Sequence, residues 1–257
     1  IHLLSHHYAQ NAVVIFYPNM EWMNKRDAKL CDSKFIHSIF CKSYDSFDTL
    51  KKLFHSKVIY TGFTSIDRFT YSIPKRYECL HIKGQSKYKN SDIVLESWME
   101  HPEWPTLHFV CRNDINLQCP VHIKDNIILY QYFVEEEHIK DLMNRCLIHI
   151  CPSFSEGFGH YINEGRSCGA CVVTTDEAPM NEMIKEDTGW LIPSDNSHDV
   201  NFGKGYRIHK KTFSKHITKL FTNAFETLSH KGKIAKFEYK CDKLAYEKTI
   251  NVKIKYL

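Results

Sequence analysis

The sequence predicts an α/β protein built on parallel β-sheets, and two observations lead to that fold class. From about residue 79, short apolar runs alternate with amphipathic stretches of helical period, which is the pattern of parallel βαβ units. The chain of 257 residues is 43% hydrophobic and 25% charged, so it can bury a substantial core, and a disordered or fibrous protein is excluded.

The elements of this predicted sheet follow in a regular order. The predicted strands cover residues 79–82, 107–111, 126–131, 147–151 and 170–175. Helices are predicted between them at 91–100, 135–145 and 160–168. Ligands of doubly wound sheets bind beyond the carboxyl ends of the strands, so the loops after Ile82, Gln131 and Cys151 are expected at one rim.

The upstream part is predicted to be the end of a separate α/β domain. It has an apolar strand at 12–17, a segment at 34–41 that leads into a helix ending near Phe54, and a short strand at 58–60. The predicted domains are 1–70, 71–202 and a basic helical segment at 203–257.

The C-terminal segment is strongly basic. Residues 203–257 carry 14 Lys and Arg against 4 Asp and Glu, and the rest of the chain carries −6, which gives the net +4. Only one of these 14 cations is Arg, the residue favoured for phosphate recognition, so nucleic acid is not a predicted partner. A solvated helix surface is the plain interpretation, and peripheral contact with a membrane stays open.

The chain is predicted to be soluble and cytoplasmic. It has no run of about 18 to 20 apolar residues and no signal peptide at its start. Its ten cysteines are spread along the chain, which favours reduced thiols over a disulfide framework. Because Ile1 is not Met, we expect that sequence upstream is missing.

The most informative segment is 152–164, where Glu156 and Glu164 stand eight positions apart around a glycine-bracketed turn. Gly157 and Gly159 allow a ligand to approach the backbone, and the helix that follows offers free N–H groups to a diphosphate. Glu164 lies more than one turn into that helix, where a carboxylate can accept both hydroxyls of a ribose. Glu156 is expected nearer a reacting sugar.

A second feature is the loop after the strand at 79–82, which contains Lys87 and Lys89. From this position the ammonium groups can point into the same crevice and neutralise a leaving phosphate. The alternative is that both are ordinary solvated lysines, an alternative that carries more weight for Lys87.

These residues resemble the retaining glycosyltransferases of family 4, which have the two-domain GT-B fold. The resemblance is carried by Glu156-Gly157-Phe158-Gly159 with Glu164, by 167–176 and 179–182, and by earlier segments at 18–22, 41–43, 60–65 and 98–102. It implies a complete C-terminal Rossmann-like domain, preceded by the C-terminal part of an N-terminal Rossmann-like domain.

The resemblance also implies an activity and a site. The chain is expected to transfer a sugar, of hexose type, from a nucleoside diphosphate sugar to an unidentified glycan, lipid or protein acceptor, with no cofactor and no metal. The expected donor-binding residues are Lys87, Lys89, Gly157, Phe158, Gly159, Glu164, Tyr132 and Phe133. Glu156 is the expected catalytic residue, acting on the transferred sugar.

Three departures from the family pattern keep alternatives open. Gln85, Ser86 and Lys87 occupy the neighbourhood of the family's usual Arg, Gly165 replaces a common Ala, and only about 70 residues of the N-terminal domain are present. A nucleotide-sugar-binding remnant without turnover therefore stays open, as does a sugar-nucleotide epimerase of the same fold. A dehydrogenase is disfavoured because the glycine pattern lacks its third member at Ile162.

Other conspicuous residues have structural interpretations. Cys168 and Cys171 have the spacing of half a zinc site, but they have no matching second pair, so packing is predicted. His149 is expected to be a satisfied residue of the core or rim. Trp22 and Trp98 are predicted to anchor the core.

Overall fold

The computed structural model describes residues 12–84, 86–111 and 123–255. Its eleven strands are β1 (Ile15–Phe16), β2 (Ser38–Cys41), β3 (Val58–Tyr60), β4 (Arg76–Ile82), β5 (Leu107–Val110), β6 (Ile127–Tyr130), β7 (Cys146–Cys151), β8 (Cys171–Thr175), β9 (Gly189–Ile192), β10 (Asn196–Val200) and β11 (Gly203–Arg207). Its helices are α1 (Lys25–Asp32), α2 (Tyr44–Phe54), α3 (Ser91–Glu100), α4 (Glu136–Arg145), α5 (His160–Ser167), α6 (Met180–Met183), α7 (Lys210–Leu220) and α8 (Phe225–Lys255). Short 3₁₀ turns occupy His55–Lys57 and Lys87–Lys89.

The strands form two parallel sheets and one hairpin. The first sheet has the order β1-β2-β3, and the second sheet has the order β6-β5-β4-β7-β8-β9, with every neighbouring pair parallel. Strands β10 and β11 form a separate antiparallel hairpin. In the second sheet the strand order reverses between β4 and β7, which is the topological switch point where doubly wound folds bind ligands.

Both faces of the second sheet are covered, as such a fold requires. In β8, Cys171 and Val173 belong to the core that holds the apolar residues of α3 and α7, whereas Val172 packs on the opposite face with Ile162 of α5. Alternate strand residues point to opposite faces, so a strand buried on both sides is apolar throughout. The predicted mixed α/β fold with parallel sheets is confirmed.

The predicted strands and helices of the second sheet all exist, with ends that differ from the predicted ones by at most three residues. The upstream strand is shorter than predicted: of residues 12–17, only Ile15–Phe16 pair with β2. The 203–257 segment is not helical throughout, because its first five residues form β11.

The two tryptophans predicted to anchor the core, Trp22 and Trp98, differ in burial. Trp98 is fully buried and donates its indole N–H to the Pro105 carbonyl at 2.9 Å. The prediction for Trp22 is wrong, because its side chain is 54% exposed. Trp22 follows β1 in a loop rather than on a helix face, so no apolar periodicity directs it inward.

Other packing predictions hold in the described residues. Cys168 and Cys171 are free and buried, and His149 is buried with its Nε2 atom donating to the Met143 carbonyl at 3.0 Å. A methyl group at Gly165 would come within 2.8 Å of His149 Nδ1 and 2.9 Å of Val172 Cγ2. The glycine that departs from the family's usual Ala is thus required by close packing of α5 on the sheet.

None of the helices in the described ranges, the 31-residue α8 included, has an apolar stretch long enough to cross a bilayer.

Candidate functional site

The candidate site is a crevice bordered by the loops after β4 and β7 and by the segments after β1 and β2. A buried histidine fixes its floor between β4 and β7. His81 Nδ1 donates to the Ile150 carbonyl at 2.7 Å, and its Nε2 accepts from the Ser91 hydroxyl at the same distance. Burial lowers the pKa of His81 to about 4, so the ring is neutral at pH 7, as this pair of hydrogen bonds requires. The ring therefore holds the two switch-point strands and the start of α3 in one arrangement.

The loops after β4 and β7 are joined directly. Phe154 N–H donates to the Tyr88 carbonyl at 2.8 Å, and Asn90 Nδ2 donates to the Pro152 carbonyl at 2.8 Å. Asn90 has a positive φ of 51°, a conformation that asparagine tolerates better than most residues, and it directs the chain from the 3₁₀ turn into α3. Lys89, the last residue of that turn, consequently faces the glycine loop.

Lys89 and Glu156 form the central contact of the site. Lys89 Nζ lies 2.7 Å from Glu156 Oε1, and both side chains are only 13% exposed. The Ser153 hydroxyl donates to the same Glu156 oxygen at 2.6 Å, and the Lys89 ammonium lies 3.4 Å from the centre of the Tyr161 ring. A half-buried cation held this way has little orientational freedom left, which suits a fixed contact to an anionic ligand.

Gly157 and Gly159, the two glycines of the turn, are needed for different structural reasons. Gly159 has a φ of +97°, which favours glycine, and it is the N-cap of α5 without a side-chain cap. The first N–H groups of α5 are therefore not capped by that residue's side chain. A methyl group on Gly157 would come within 2.6 Å of Asn19 Oδ1, so this glycine allows the loop to contact the segment after β1.

Phe158 differs from its neighbours, because its side chain is 7% exposed and packs against Phe63, with ring centres 5.3 Å apart. Its side chain also lines a cavity of about 380 Å³ with Lys42 and Met183. This packing fastens the glycine turn to the loop that follows the first sheet.

Glu164 lies on α5 and has a partner that the sequence did not indicate. Its Oε2 atom is 3.7 Å from Arg68 Nε, and the Arg68 guanidinium also contacts Glu136 of α4. Burial raises the pKa of the Glu164 carboxyl, and Arg68 opposes that rise. Arg68 lies in the connection between the two sheets, where no motif marks it, so only tertiary structure could identify it.

Three predicted donor-binding residues, Lys87, Tyr132 and Phe133, line cavities that do not include Lys89 or Glu156. Lys87 is exposed and lines a cavity of about 450 Å³ with Tyr88, Phe154 and Arg207. Tyr132 and Phe133, after the edge strand β6, are 76% and 65% exposed and line a separate cavity of about 310 Å³. The structure thus brings together Lys89, Glu156 and the glycine turn. Gln85 lies outside the described residues.

The segment after β1 supplies polar groups that sequence reasoning did not assign to the site. Lys42 Nζ donates to Asn19 Oδ1 at 2.6 Å, directly beneath Gly157. Glu21 is 5% exposed, and burial raises the pKa of its carboxyl, with the nearby Glu156 charge acting in the same direction. These residues follow the carboxyl ends of β1 and β2, and that position at a rim is the signal that could have identified them.

Residues 117–202 match a protein-family model described as "Glycosyl transferases group 1". The match covers 86 of the 257 residues. The matched segment includes β7, the glycine turn and α5, which hold Glu156 and Glu164. No curated protein matches the chain significantly.

Solved structures with the GT-B fold resemble the chain over nearly its whole length. HepE from Anabaena in complex with UDP has a TM-score of 0.73 and 15% identity, covering 97% of this chain and 74% of HepE. The pneumococcal O-GlcNAc transferase GtfA in complex with UDP and GlcNAc has a TM-score of 0.68 and 17% identity, covering 96% of this chain and 53% of GtfA. A glycosyltransferase from Rickettsia africae has a TM-score of 0.67 and 14% identity, covering 90% and 66%. The chain has the GT-B fold, and it spans about half to two thirds of the last two proteins.

Proposed function

We propose that the protein is a retaining glycosyltransferase that uses a nucleoside diphosphate sugar, with a UDP-sugar as the first donor to test. The observation that carries the proposal is the Lys89–Glu156 contact at the glycine turn, beside the start of α5. HepE and GtfA, which share the fold, are in complex with UDP in their solved structures.

Each group has a role in the proposed site. Lys89 and the N–H groups from Gly157 to the start of α5 meet the diphosphate charge, and Glu164 accepts from the ribose hydroxyls. Lys87 is an auxiliary cation, and the backbone near Tyr132 and Phe133 contacts the base. When donor binds, the diphosphate competes with Glu156 for Lys89, which leaves Glu156 to hold the hydroxyls of the transferred sugar.

The proposed reaction takes place on one face of the sugar. The acceptor hydroxyl oxygen bonds to the anomeric carbon as the bond from that carbon to the diphosphate oxygen breaks. The hydroxyl proton passes to the departing phosphate oxygen, so no side chain need act as nucleophile. The protein lowers the barrier by stabilising the negative charge that develops on the phosphate, and this requires neither metal nor cofactor.

We place this activity in the cytoplasm, with peripheral membrane contact through α8. Lys233, Phe237, Lys240, Leu244 and Lys248 fall within an arc of about 80° on the helix, and Phe237 and Leu244 are 68% and 66% exposed. Lysines that flank exposed apolar residues match an anionic bilayer surface. Sedimentation with phosphatidylserine vesicles tests this, and equal sedimentation of a Phe237→Ser/Leu244→Ser variant would contradict it.

The donor experiment compares UDP, GDP and ADP and their glucose conjugates by thermal shift and calorimetry. The expected result is a rise in Tm with one nucleotide and release of sugar from its conjugate, and the Glu156→Gln variant is expected to bind the bare nucleotide but to lose sugar release. Product analysis also distinguishes transfer from epimerisation, since an epimerase converts the nucleotide sugar without an acceptor. A chain that binds none of these nucleotides would overturn the proposal.

A further inference from the structure

One of the two carboxylate oxygens of Glu21 is buried and accepts no hydrogen bond from the part of the chain that the structure describes. The residue is 5% exposed, and its Oε2 atom is buried and lacks a hydrogen-bond partner among the residues that the structure describes. Burial raises the pKa of the carboxyl and the nearby Glu156 charge adds to that rise, whereas the backbone N–H groups of Glu21 and Gly157 and the Lys42 ammonium oppose it. A buried acceptor without a donor is costly, and a hydroxyl group of a bound ligand is one donor that would satisfy it.

The position of Glu21 is fixed by the β10–β11 hairpin. Asn201 Nδ2 donates to the Glu21 carbonyl at 2.6 Å, and Phe202 N–H donates to the Met20 carbonyl at 3.2 Å. A methyl group at Gly203 would come within 3.1 Å of Met20 and 3.3 Å of the Glu21 amide nitrogen. The hairpin therefore packs closely on this segment and holds the carboxylate against the crevice.

Trp22, the next residue, presents an exposed ring that is held by an aromatic stack. Its indole is 54% exposed, and the centre of its ring system lies 5.4 Å from that of Tyr88. Tyr88 belongs to the same 3₁₀ turn as Lys89. Tyr88 stacks on Phe154 at 5.5 Å with an interplanar angle of 28°. One face of the stack is thus bound to the protein, and part of the indole stays open to solvent beside the crevice.

These two side chains complement the two surfaces of a pyranose. A sugar ring has hydroxyls at its edge, which donate well to a carboxylate, and a face of C–H groups, which packs on an aromatic ring. Lys89 pairs with Glu156 and Lys42 lies near Glu21, so the charges here are matched within the protein, which suits an uncharged acceptor ring.

We propose that Glu21 and Trp22 form the acceptor subsite and that the acceptor is an uncharged pyranose. Glu21 accepts a hydrogen bond from an acceptor hydroxyl, and Trp22 packs against the face of the acceptor ring. The inference rests on the proposed glycosyltransferase function, and it selects a glycan over a lipid phosphate or a protein side chain.

The experiment uses maltose, lactose and chitobiose as probes with the full chain. Binding is measured by saturation-transfer NMR in the presence of UDP, and transfer is measured with the conjugate that the donor experiment selects. We expect at least one probe to bind and to accept sugar, Trp22→Ala to raise its KM by about tenfold or more with little change in kcat, and Trp22→Phe to restore most of the affinity. Glu21→Gln is expected to lower the affinity for the sugar probe and to leave the affinity for UDP unchanged.

Tyr71→Ala is the matched control, because Tyr71 is 90% exposed and lies outside the crevice. Two outcomes would overturn the subsite: none of the three sugars binds or accepts in a chain that binds UDP, or the Trp22→Ala and Glu21→Gln variants use them like the unaltered protein. A failure of the proposed function is distinguishable, since a chain that binds no nucleotide can still bind a sugar in a Trp22-dependent manner.

Discussion

The two regions that meet at the crevice differ in how their polar groups are satisfied. On the second sheet, Glu156 Oε1 accepts hydrogen bonds from both Lys89 and Ser153, although among the described residues Arg68 Nε beside Glu164 is buried without a hydrogen-bond partner. On the first sheet's side, Glu21 has a buried oxygen without a hydrogen-bond partner among the described residues. We infer from this difference that the proposed donor side is preorganised within the protein and that a ligand completes the proposed acceptor side.

The largest effect is expected where the two regions touch, at Gly157→Ala. The new methyl group would lie within 2.6 Å of Asn19 Oδ1 and 2.8 Å of Asn19 Cβ, so the loop or the segment after β1 must move. We expect a loss of about 1 to 3 kcal/mol in the free energy of unfolding. Turnover is expected to fall by roughly 100-fold, because Glu156 is displaced.

Urea unfolding and the transfer assay measure these two effects. The Gly157→Ala/Asn19→Gly double variant is the control, since it removes the side chain that the methyl group meets. Wild-type turnover in the single variant would show that the contact between the two regions does not position Glu156.

Lys89→Ala is expected to have the next largest effect. It removes the half-buried cation and leaves Glu156 without its 2.7 Å partner, so UDP affinity should fall by about 100-fold, or about 2.7 kcal/mol. Affinity for uridine should be nearly unchanged, because Lys89 acts through charge on the diphosphate. Calorimetry with both ligands makes the comparison.

Lys87→Ala is the graded comparison for Lys89, since Lys87 is proposed only as an auxiliary cation. It lies two residues away, is exposed and lines a different cavity, so we expect less than a threefold change in UDP affinity. Equal losses of uridine and UDP in Lys89→Ala would instead indicate that Lys89 supports the fold.

The sequence could predict those parts of the site that lie close together in the chain. Glu156, the glycines and Glu164 share one strand–turn–helix unit, where local geometry alone brings them to one rim, and Lys89 follows the neighbouring strand of the switch point. The fold was predictable for the same reason, since apolar runs and amphipathic stretches reflect local periodicity.

Residues that depend on tertiary contacts could not be predicted in this way. Arg68 reaches Glu164 from a connection without regular structure, and Glu21 faces Glu156 only because the hairpin packs on the segment after β1. Sequence reasoning puts Trp22 in the core because a tryptophan in an apolar neighbourhood usually packs there, whereas the structure leaves its side chain 54% exposed beside Tyr88.

Glu164→Ala should have a smaller effect than Lys89→Ala. It removes the proposed acceptor of two ribose hydroxyls, but Arg68 Nε lies 3.7 Å from this carboxylate, so ribose binding must compete with that contact. We expect UDP affinity to fall by roughly tenfold, or about 1.4 kcal/mol. Calorimetry with UDP measures it, and unchanged affinity would remove Glu164 from the ribose site.

Glu136→Ala is the matched control for Glu164. Glu136 contacts the same arginine, but its side chain is 65% exposed, so its removal should leave UDP affinity within about twofold. A larger loss would assign the effect to the position of Arg68 rather than to the Glu164 carboxylate.

The smallest effect is expected for metal removal, because the diphosphate charge is met by Lys89 and the start of α5, which need no ion. Among the described residues, one group that could hold a metal ion is Glu78, His108 and Cys146, whose ligand atoms lie within 4.8 Å of one another. It is near the amino ends of β4, β5 and β7, at the end of the strands opposite the crevice, and Arg145 Nε lies 3.3 Å from Glu78.

We therefore expect donor binding and turnover to be unchanged after EDTA treatment and after Mg²⁺ or Mn²⁺ is restored, on protein shown to be folded by circular dichroism. A change in Tm alone would direct attention to Glu78 and its neighbours, whereas loss of donor binding with EDTA and recovery with Mn²⁺ would contradict the phosphate site proposed around Lys89.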